Sequence, residues 1–188
     1  MAAKAIKQKP IRITISGEAG SGKSTVADII ANKLKLKRHS TGDYMRTMAA
    51  ARGVTIIELN KIGETDPSID KDLDDWQKKL EKKKDEGFVL DSRLGFHFIP
   101  SSVKIFLHAD IKVRAERVYN DQRLVEENPS LKKTIENIKK RQTLERERYK
   151  EKYGIDYLDF NKYDLLLDTT KMSPAEVAEK IIAFVVRK

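Results

Sequence analysis

Residues Gly17-Glu18-Ala19-Gly20-Ser21-Gly22-Lys23-Ser24-Thr25 place glycines, a lysine and hydroxyls in one short run. The spacing Gly-x-x-x-x-Gly-Lys-Ser suits the holding of a polyphosphate. Glycine reaches torsions that residues with a Cβ resist, so Gly17, Gly20 and Gly22 let successive N–H groups turn inward around an anion. Lys23 would bridge the β- and γ-phosphates of a nucleoside triphosphate, and the Ser24 hydroxyl would ligate Mg²⁺.

Charge gathers at three further places. Asp91 ends the apolar run Phe88-Val89-Leu90. A carboxylate there can hold Mg²⁺ or its water; capping a turn is the ordinary alternative. Asp43 and Asp110 are weaker candidates. In Thr41-Gly42-Asp43-Tyr44-Met45-Arg46, a hydroxyl and an arginine share a helix start, where anions are favoured and Arg46 can fork onto a phosphate. Arg93, two residues past Asp91, is expected to point into the same crevice. A surface ion pair is the commoner fate of such arginines. Lastly, Arg141, Glu145 and Arg148 are spaced i, i+4, i+7 and share one helical face. Glu145 could hold both guanidinium forks, and a moving phosphoryl group needs such positive cover. A solvated, salt-bridged helix is the alternative. Arg146 points off that stripe. Of Arg114 and Arg117, one can stack on a purine, with Glu116 or Asp121 as ordinary ion-pair partners. His39, His97 and His108 show no metal-ligand spacing, and no hydroxyl–His–acid triad is present, as expected for phosphoryl transfer.

Two kinds of element must position these residues. Ile11, Ile13 and Ile15 predict a buried strand leading into the glycine run, and Val26, Ile29, Ile30 and Leu34 a helix leading out of it. Residues 36–39 read as a second strand. Ser40 to Asp43 caps a helix running to Arg52, Thr55 caps one through Ile62, and Ser68 caps one through Leu80 that stops at Gly87. Residues 88–91, 103–107 and 163–167 are the remaining strands. Residues 110–119 form a helix, Asn128-Pro129 breaks the next piece, and 130–153 is one long charged helix stopped by Gly154. Ser173-Pro174-Ala175-Glu176 is a capping box opening the last helix. This alternation predicts a three-layer α/β fold with a parallel sheet. Ligands then gather at the carboxyl ends of the strands, where Gly17, Asp91 and Asp168 all fall.

A length of 188 residues favours one domain with a sizeable core. With no cysteine, disulfide frameworks and thiolate metal sites are excluded. Residues 1–10 read as a flexible basic tail. Arg12 and Thr14 interrupt the apolar run that follows, which argues against a secretory signal. Nothing approaches the ~20 apolar residues of a membrane span, so a cytoplasmic location is the simplest expectation. A net charge of +9 suits either nucleic acid or a site for small polyanions. In the basic stretch 132–150, Glu136, Glu145 and Glu147 interleave with the cations, so no nucleic-acid partner is expected.

On these residues the chain resembles the nucleoside monophosphate kinases, and among them the short cytidylate kinases common in archaea. Besides the glycine run, the landmarks are Ser40-Thr41-Gly42-Asp43-Tyr44-Met45-Arg46, Asp66-Pro67-Ser68-Ile69-Asp70, Leu90-Asp91-Ser92-Arg93-Leu94, Val113-Arg114-Ala115-Glu116-Arg117, Glu145-Arg146-Glu147-Arg148-Tyr149-Lys150, Tyr153-Gly154-Ile155-Asp156 and Asp164-Leu165-Leu166-Leu167-Asp168-Thr169. The glycine run alone is shared by many NTPases; the Asp-Pro-Ser-Ile-Asp segment and the arginine helix ending in Tyr-Gly-Ile-Asp are far more specific.

The resemblance implies a P-loop kinase fold in which ATP, with Mg²⁺, phosphorylates CMP or dCMP. It implies one domain over 11–188, with a helical acceptor lobe at about 40–87 and a helical lid at about 120–155; a monomer is expected. Residues 17–25 (Gly17, Glu18, Ala19, Gly20, Ser21, Gly22, Lys23, Ser24, Thr25) would bind the ATP phosphates, and Arg117 would pack on the adenine. Thr41, Arg46, Asp70 and Arg93 would form the acceptor site, with both arginines on the monophosphate. Arg141 and Arg148 would be lid arginines with Glu145 between them. Lys23, Arg46, Arg93, Arg141 and Arg148 are thus the candidate catalytic residues, and Ser24 and Asp91 the metal ligands. Glu18 stands where relatives commonly carry proline, so its carboxylate must be paired or face away from the phosphates. After Arg93 the chain reads Leu-Gly-Phe-His-Phe, unlike the Arg-Asp-Ile-Gly type of the longer bacterial enzymes. Asp70, Asp74 and Gln77 lie in the lobe that would read a base edge. The alternatives are a small P-loop kinase for UMP, AMP or a non-nucleotide metabolite, and a nucleic-acid-associated P-loop module.

Overall fold

Alternation along the strands builds the three layers. In β3 (Phe88–Asp91), Val89 faces one way while Phe88 and Leu90 face the other; in β4 (Val103–His108), Ile105 and Leu107 oppose Phe106. The computed structural model describes residues 10–121 and 130–188. Nearly all of the expected tail, the break at Asn128-Pro129 and the lid residues 122–129 lie outside the described residues.

With β1 (Arg12–Gly17), β2 (Lys37–Ser40) and β5 (Leu165–Asp168), these strands make one parallel sheet in the order β2-β3-β1-β4-β5. On one face, Ile13, Ile15, Val89, Ile105 and Leu107 pack against α1 (Lys23–Leu34) and α8 (Pro174–Val186) through Ala27, Ile30, Val177 and Ile181. On the other, Phe88, Leu90 and Phe106 pack with Leu80, Phe96, Phe98, Ile155 and Tyr157. A smaller third core of Ala49, Leu59 and Ile69 joins α2 (Thr41–Ala51), α3 (Ile56–Gly63) and α4 (Pro67–Lys82) to one another. The short α5 (Gly95–Phe98), α6 (Ile111–Tyr119) and the long α7 (Leu131–Tyr153) complete the chain.

The Ser173–Glu176 capping box forms, and the Thr55 cap is completed into a second box by Glu58. Ser68 does not cap α4. Asp66 does, its carboxylate accepting the Ser68 N–H at 2.9 Å. Pro67 supplies the reason: with φ fixed and no N–H it suits the first helical position, which moves the cap to the residue before it. At the far end of α4, the buried Arg12 guanidinium donates to the carbonyls of Glu81 (3.1 Å) and Glu86 (3.2 Å), pinning the helix to the sheet. β5 opens at Leu165 rather than 163, because Tyr163 turns inward and donates its hydroxyl to the Tyr157 carbonyl at 2.7 Å. Among the described residues, no helix is long and apolar enough to cross a membrane.

The crossover from β1 runs past β3 to β2, and the one from β3 runs the opposite way past β1 to β4, so the connections diverge between the carboxyl ends of β1 and β3. Gly17 ends β1 and Asp91 ends β3. This is the switch point at which open α/β sheets bind ligands.

Candidate active site

The glycine run lines a cleft of about 440 Å³, with Arg93, Arg117, Arg141 and Thr169 also in its wall. Gly17 and Gly20 are required by close approach of other backbone. A Cβ on Gly17 (φ +146) would lie 2.2 Å from the Leu107 oxygen, and one on Gly20 (φ +78) 2.4 Å from the Arg114 oxygen. Lys23 donates to the Glu18 carbonyl at 2.7 Å, closing the loop on itself. Burial, then the Arg93 charge, lower the Lys23 ammonium to a pKa of about 8. Ser24, in the first turn of α1, donates its hydroxyl to Asp91 Oδ2 at 2.6 Å; Arg38 Nη2 lies 3.6 Å from the same oxygen. Two hard oxygen groups thus meet at the switch point. Among the described residues, no three His, Cys, Asp or Glu side chains converge on a metal cage. One carboxylate plus a hydroxyl suits Mg²⁺, which completes its shell with water and phosphate oxygens.

The Glu18 carboxylate is paired as required, with Arg114 Nη2 at 3.2 Å and the Gln142 amide at 3.2 Å. Gly17 and Glu18 stay out of the cleft wall, whereas Ala19 to Thr25 form it. Arg117 sits in the wall, donating to the hydroxyl (3.1 Å) and carbonyl (2.8 Å) of Thr169. Met172, Pro174 and Val177 add an apolar side.

A second, smaller cleft of about 60 Å³ lies beside the first, and Arg93 lines both. Arg93 Nε forms an ion pair with Glu145 Oε2 at 2.8 Å, without the alignment of a hydrogen bond, while Arg141 donates to Oε1 at 2.9 Å. Burial opposes the charge on both partners. The pair outweighs it: Glu145 is held below the usual carboxylate range, by Arg93 and then Arg141, and Arg93 is held above the usual guanidinium value.

Arg148 does not share Glu145 with Arg141. Arg93 takes that second oxygen, and Arg148 faces Asp70 at 3.9 Å, where Lys152 also pairs at 2.7 Å. Thr41 lines the small cleft and donates weakly to the Asp91 carbonyl at 3.4 Å. Arg46 is not brought to Arg93. It pairs with Asp43, its side chain is half exposed, and it borders neither cleft. Arg146 reaches Asp156, off the Arg141–Arg148 stripe as its position in the helix suggests.

Arg38, outside the motifs, and Ser92 and Tyr153, inside them without an assigned role, carry further parts of the site. Arg38 binds Asp28 at 3.1 Å and Asp43 at 2.7 Å besides facing Asp91. Tyr153 donates to both oxygens of the buried Asp74, at 3.0 and 2.9 Å, and Ser92 donates to Gln77 Oε1 at 2.7 Å. Asp74 and Gln77 are named from the sequence as lying in the acceptor lobe; their partners Tyr153 and Ser92 are not.

Residues 12–171 match the cytidylate kinase-like family. A cytidylate kinase from Sulfolobus acidocaldarius is 38% identical over 181 residues, covering 95% of this chain and 96% of the relative. One from Natronomonas pharaonis is 42% identical over 167 residues, covering 86% and 82%. Among solved structures, a shikimate kinase from Bacteroides thetaiotaomicron superposes with a TM-score of 0.65 at 12% identity, covering 93% of this chain and 98% of that one. At that identity the likeness speaks to the fold, a P-loop kinase α/β architecture.

Proposed function

This chain belongs to the cytidylate kinase-like family, and from that premise we propose that it transfers the γ-phosphoryl group of ATP to CMP and dCMP by direct in-line displacement. The observation that carries this reading is the position of Arg93. It is the charged side chain common to the polyphosphate cleft and the smaller cleft bounded by α4 and α7. A phosphoryl group passing from one cleft to the other would travel past it.

The residues then take the following roles. The amides of the glycine loop and Lys23 hold the β- and γ-phosphates. Arg117 and the apolar wall of Met172, Pro174 and Val177 receive the adenine. Ser24 and Asp91 would hold Mg²⁺, which would supply neutralisation of the phosphate charge. Arg93 binds the acceptor phosphate and the moving group, and Arg141 and Arg148 add positive charge from α7. Preorganised cations aimed at developing charge are the main source of rate in such transfers.

The small cleft cannot hold a whole nucleotide at about 60 Å³. The acceptor lobe (about 40–87) and the lid must therefore part to admit CMP, which means breaking the contacts of Asp70 with Arg148 and Lys152 and of Asp74 with Tyr153. On reclosure, Arg46 leaves Asp43 for the acceptor phosphate. Closure excludes water and so suppresses ATP hydrolysis. The protein works as a monomer on small cytoplasmic substrates.

The test is ADP release from Mg-ATP with CMP, dCMP, UMP, AMP, GMP or no acceptor. Turnover concentrated on CMP or dCMP is the expected result. Equal turnover without acceptor, or turnover confined to another nucleotide, overturns the substrate assignment.

A further inference from the structure

Asp74 and Gln77 lie one turn apart on the face of α4 that lines the small cleft, with 8% and 2% of their surfaces exposed. Each is held by a neighbour that fixes what it can offer. Asp74 accepts the Tyr153 hydroxyl on both oxygens (3.0 and 2.9 Å). An ionised carboxylate has about four lone-pair sites, so acceptor capacity remains. Gln77 has its carbonyl oxygen committed to the Ser92 hydroxyl at 2.7 Å, which leaves its NH₂ as a donor. The cleft therefore presents an acceptor beside a donor, in the same cavity as Arg93.

We propose, resting on the CMP reading above, that Asp74 and Gln77 are the residues that tell cytosine from uracil: Asp74 accepts from the 4-amino group, and the Gln77 NH₂ donates to ring N3. Cytosine presents a donor at position 4 and an acceptor at N3. Uracil presents an acceptor and a donor there, so both contacts become repulsive. Adenine carries the same donor–acceptor edge as cytosine. These two contacts therefore do not exclude it; the purine's second ring would have to fit against Leu73, Leu94 and Phe98, which line the same cleft. Sites built on buried hydrogen-bonding groups discriminate strongly because the wrong ligand leaves those groups unpaired.

The experiment measures kcat/KM of the full chain for CMP, UMP and the 4-deamino analogue of CMP, which keeps N3 but lacks the amino group. The wild-type protein should favour CMP over the analogue by roughly tenfold or more. In Asp74→Asn the CMP-to-UMP ratio should fall roughly ten- to a hundredfold, with CMP and the analogue becoming alike. Gln77→Met, which removes the donor at similar volume, should lower the same ratio and stands in if Asp74→Asn does not fold. A purely structural role would lower both substrates together and leave the ratio unchanged. A CMP-to-UMP ratio kept within about twofold in whichever variants fold overturns this assignment while the kinase reading stands. Absence of turnover on every nucleotide by the wild-type protein overturns both.

Discussion

Glu145 Oε2 lies 2.8 Å from Arg93 Nε, so a carboxylate carried by α7 sits on the arginine shared by the two clefts. Its other oxygen takes Arg141. One acidic side chain thereby balances buried positive charge that, in the kinase reading, a transferring phosphoryl group would balance during turnover.

Glu145→Gln should therefore destabilise the protein without nucleotide more than the protein with it. Removing one partner leaves Arg93 buried and uncompensated, at a cost of about 3 kcal/mol. For a chain of this size that lowers Tm by roughly 6–12 °C. A bisubstrate analogue, two nucleosides joined through a polyphosphate, resupplies the negative charge and should raise the variant's Tm more than the wild type's. Equal ligand-induced shifts by differential scanning fluorimetry would remove Glu145 from this role.

Asp91→Asn tests the metal assignment. The Ser24 hydroxyl keeps a neutral acceptor at the same place, so the 2.6 Å contact survives while the charge is lost. Turnover with Mg-ATP should fall by about a hundredfold or more. Affinity for ATP in excess chelator should change little, since the glycine loop and Lys23 hold the phosphates without the metal. Titration calorimetry with and without Mg²⁺ separates the two. An equal loss in both conditions would make Asp91 a structural cap.

Lys23 gives a pH dependence with opposite signs for binding and stability. Its free-state pKa is about 8, from burial and then Arg93. Bound phosphates favour the charged form, so ATP binding above pH 8 must take up a proton and should weaken up to about tenfold per pH unit. Stability runs the other way. Between about pH 8 and 10.5 the unfolded lysine holds its proton and the folded one has shed it, so this group's contribution to stability rises with pH. Lys23→Met should abolish both trends. Proton uptake is read from ATP-binding enthalpies in buffers of different ionisation heat, and zero uptake at pH 9 would contradict the scheme.

What could be read from the chain alone was what local spacing determines. The glycine loop, the Thr55 cap, the Ser173–Glu176 box, the helix stop at Gly154 and the apolar strands each depend on residues within a turn of one another. The alternation of strands with helices was enough to infer a parallel sheet covered on two faces. Partners distant in sequence were not legible. The spacing of Arg141, Glu145 and Arg148 suggests one shared carboxylate, yet Arg93, 52 positions from Glu145 by subtraction, takes the place foreseen for Arg148. Arg46 has the right position for an anion but pairs with Asp43 one turn away, which is nearer in the chain than any phosphate. Arg38 and Tyr153 gain their importance solely from what the sheet and α7 bring beside them.

Gly17 and Gly22 should fail in different ways when given a side chain. At Gly17 a Cβ meets the Leu107 carbonyl at 2.2 Å, and the adjoining Glu18 N–H binds that same oxygen at 3.3 Å. β1 and β4 cannot separate there without losing the pairing at the centre of the sheet. Gly17→Ala should cost about 3 kcal/mol or more from overpacking and strain together, seen as a lower urea midpoint with an unchanged m-value. At Gly22 nothing lies within 4 Å of the added carbon, and the left-handed torsion (φ +91) is the sole objection, worth about 1–2 kcal/mol. Gly22 lines the polyphosphate cleft, so its methyl group intrudes where phosphate oxygens must approach the backbone. Gly22→Ala should stay folded while its KM for ATP rises by at least about tenfold. A Gly22→Ala protein with unaltered KM for ATP would mean that the phosphates bind elsewhere along the cleft.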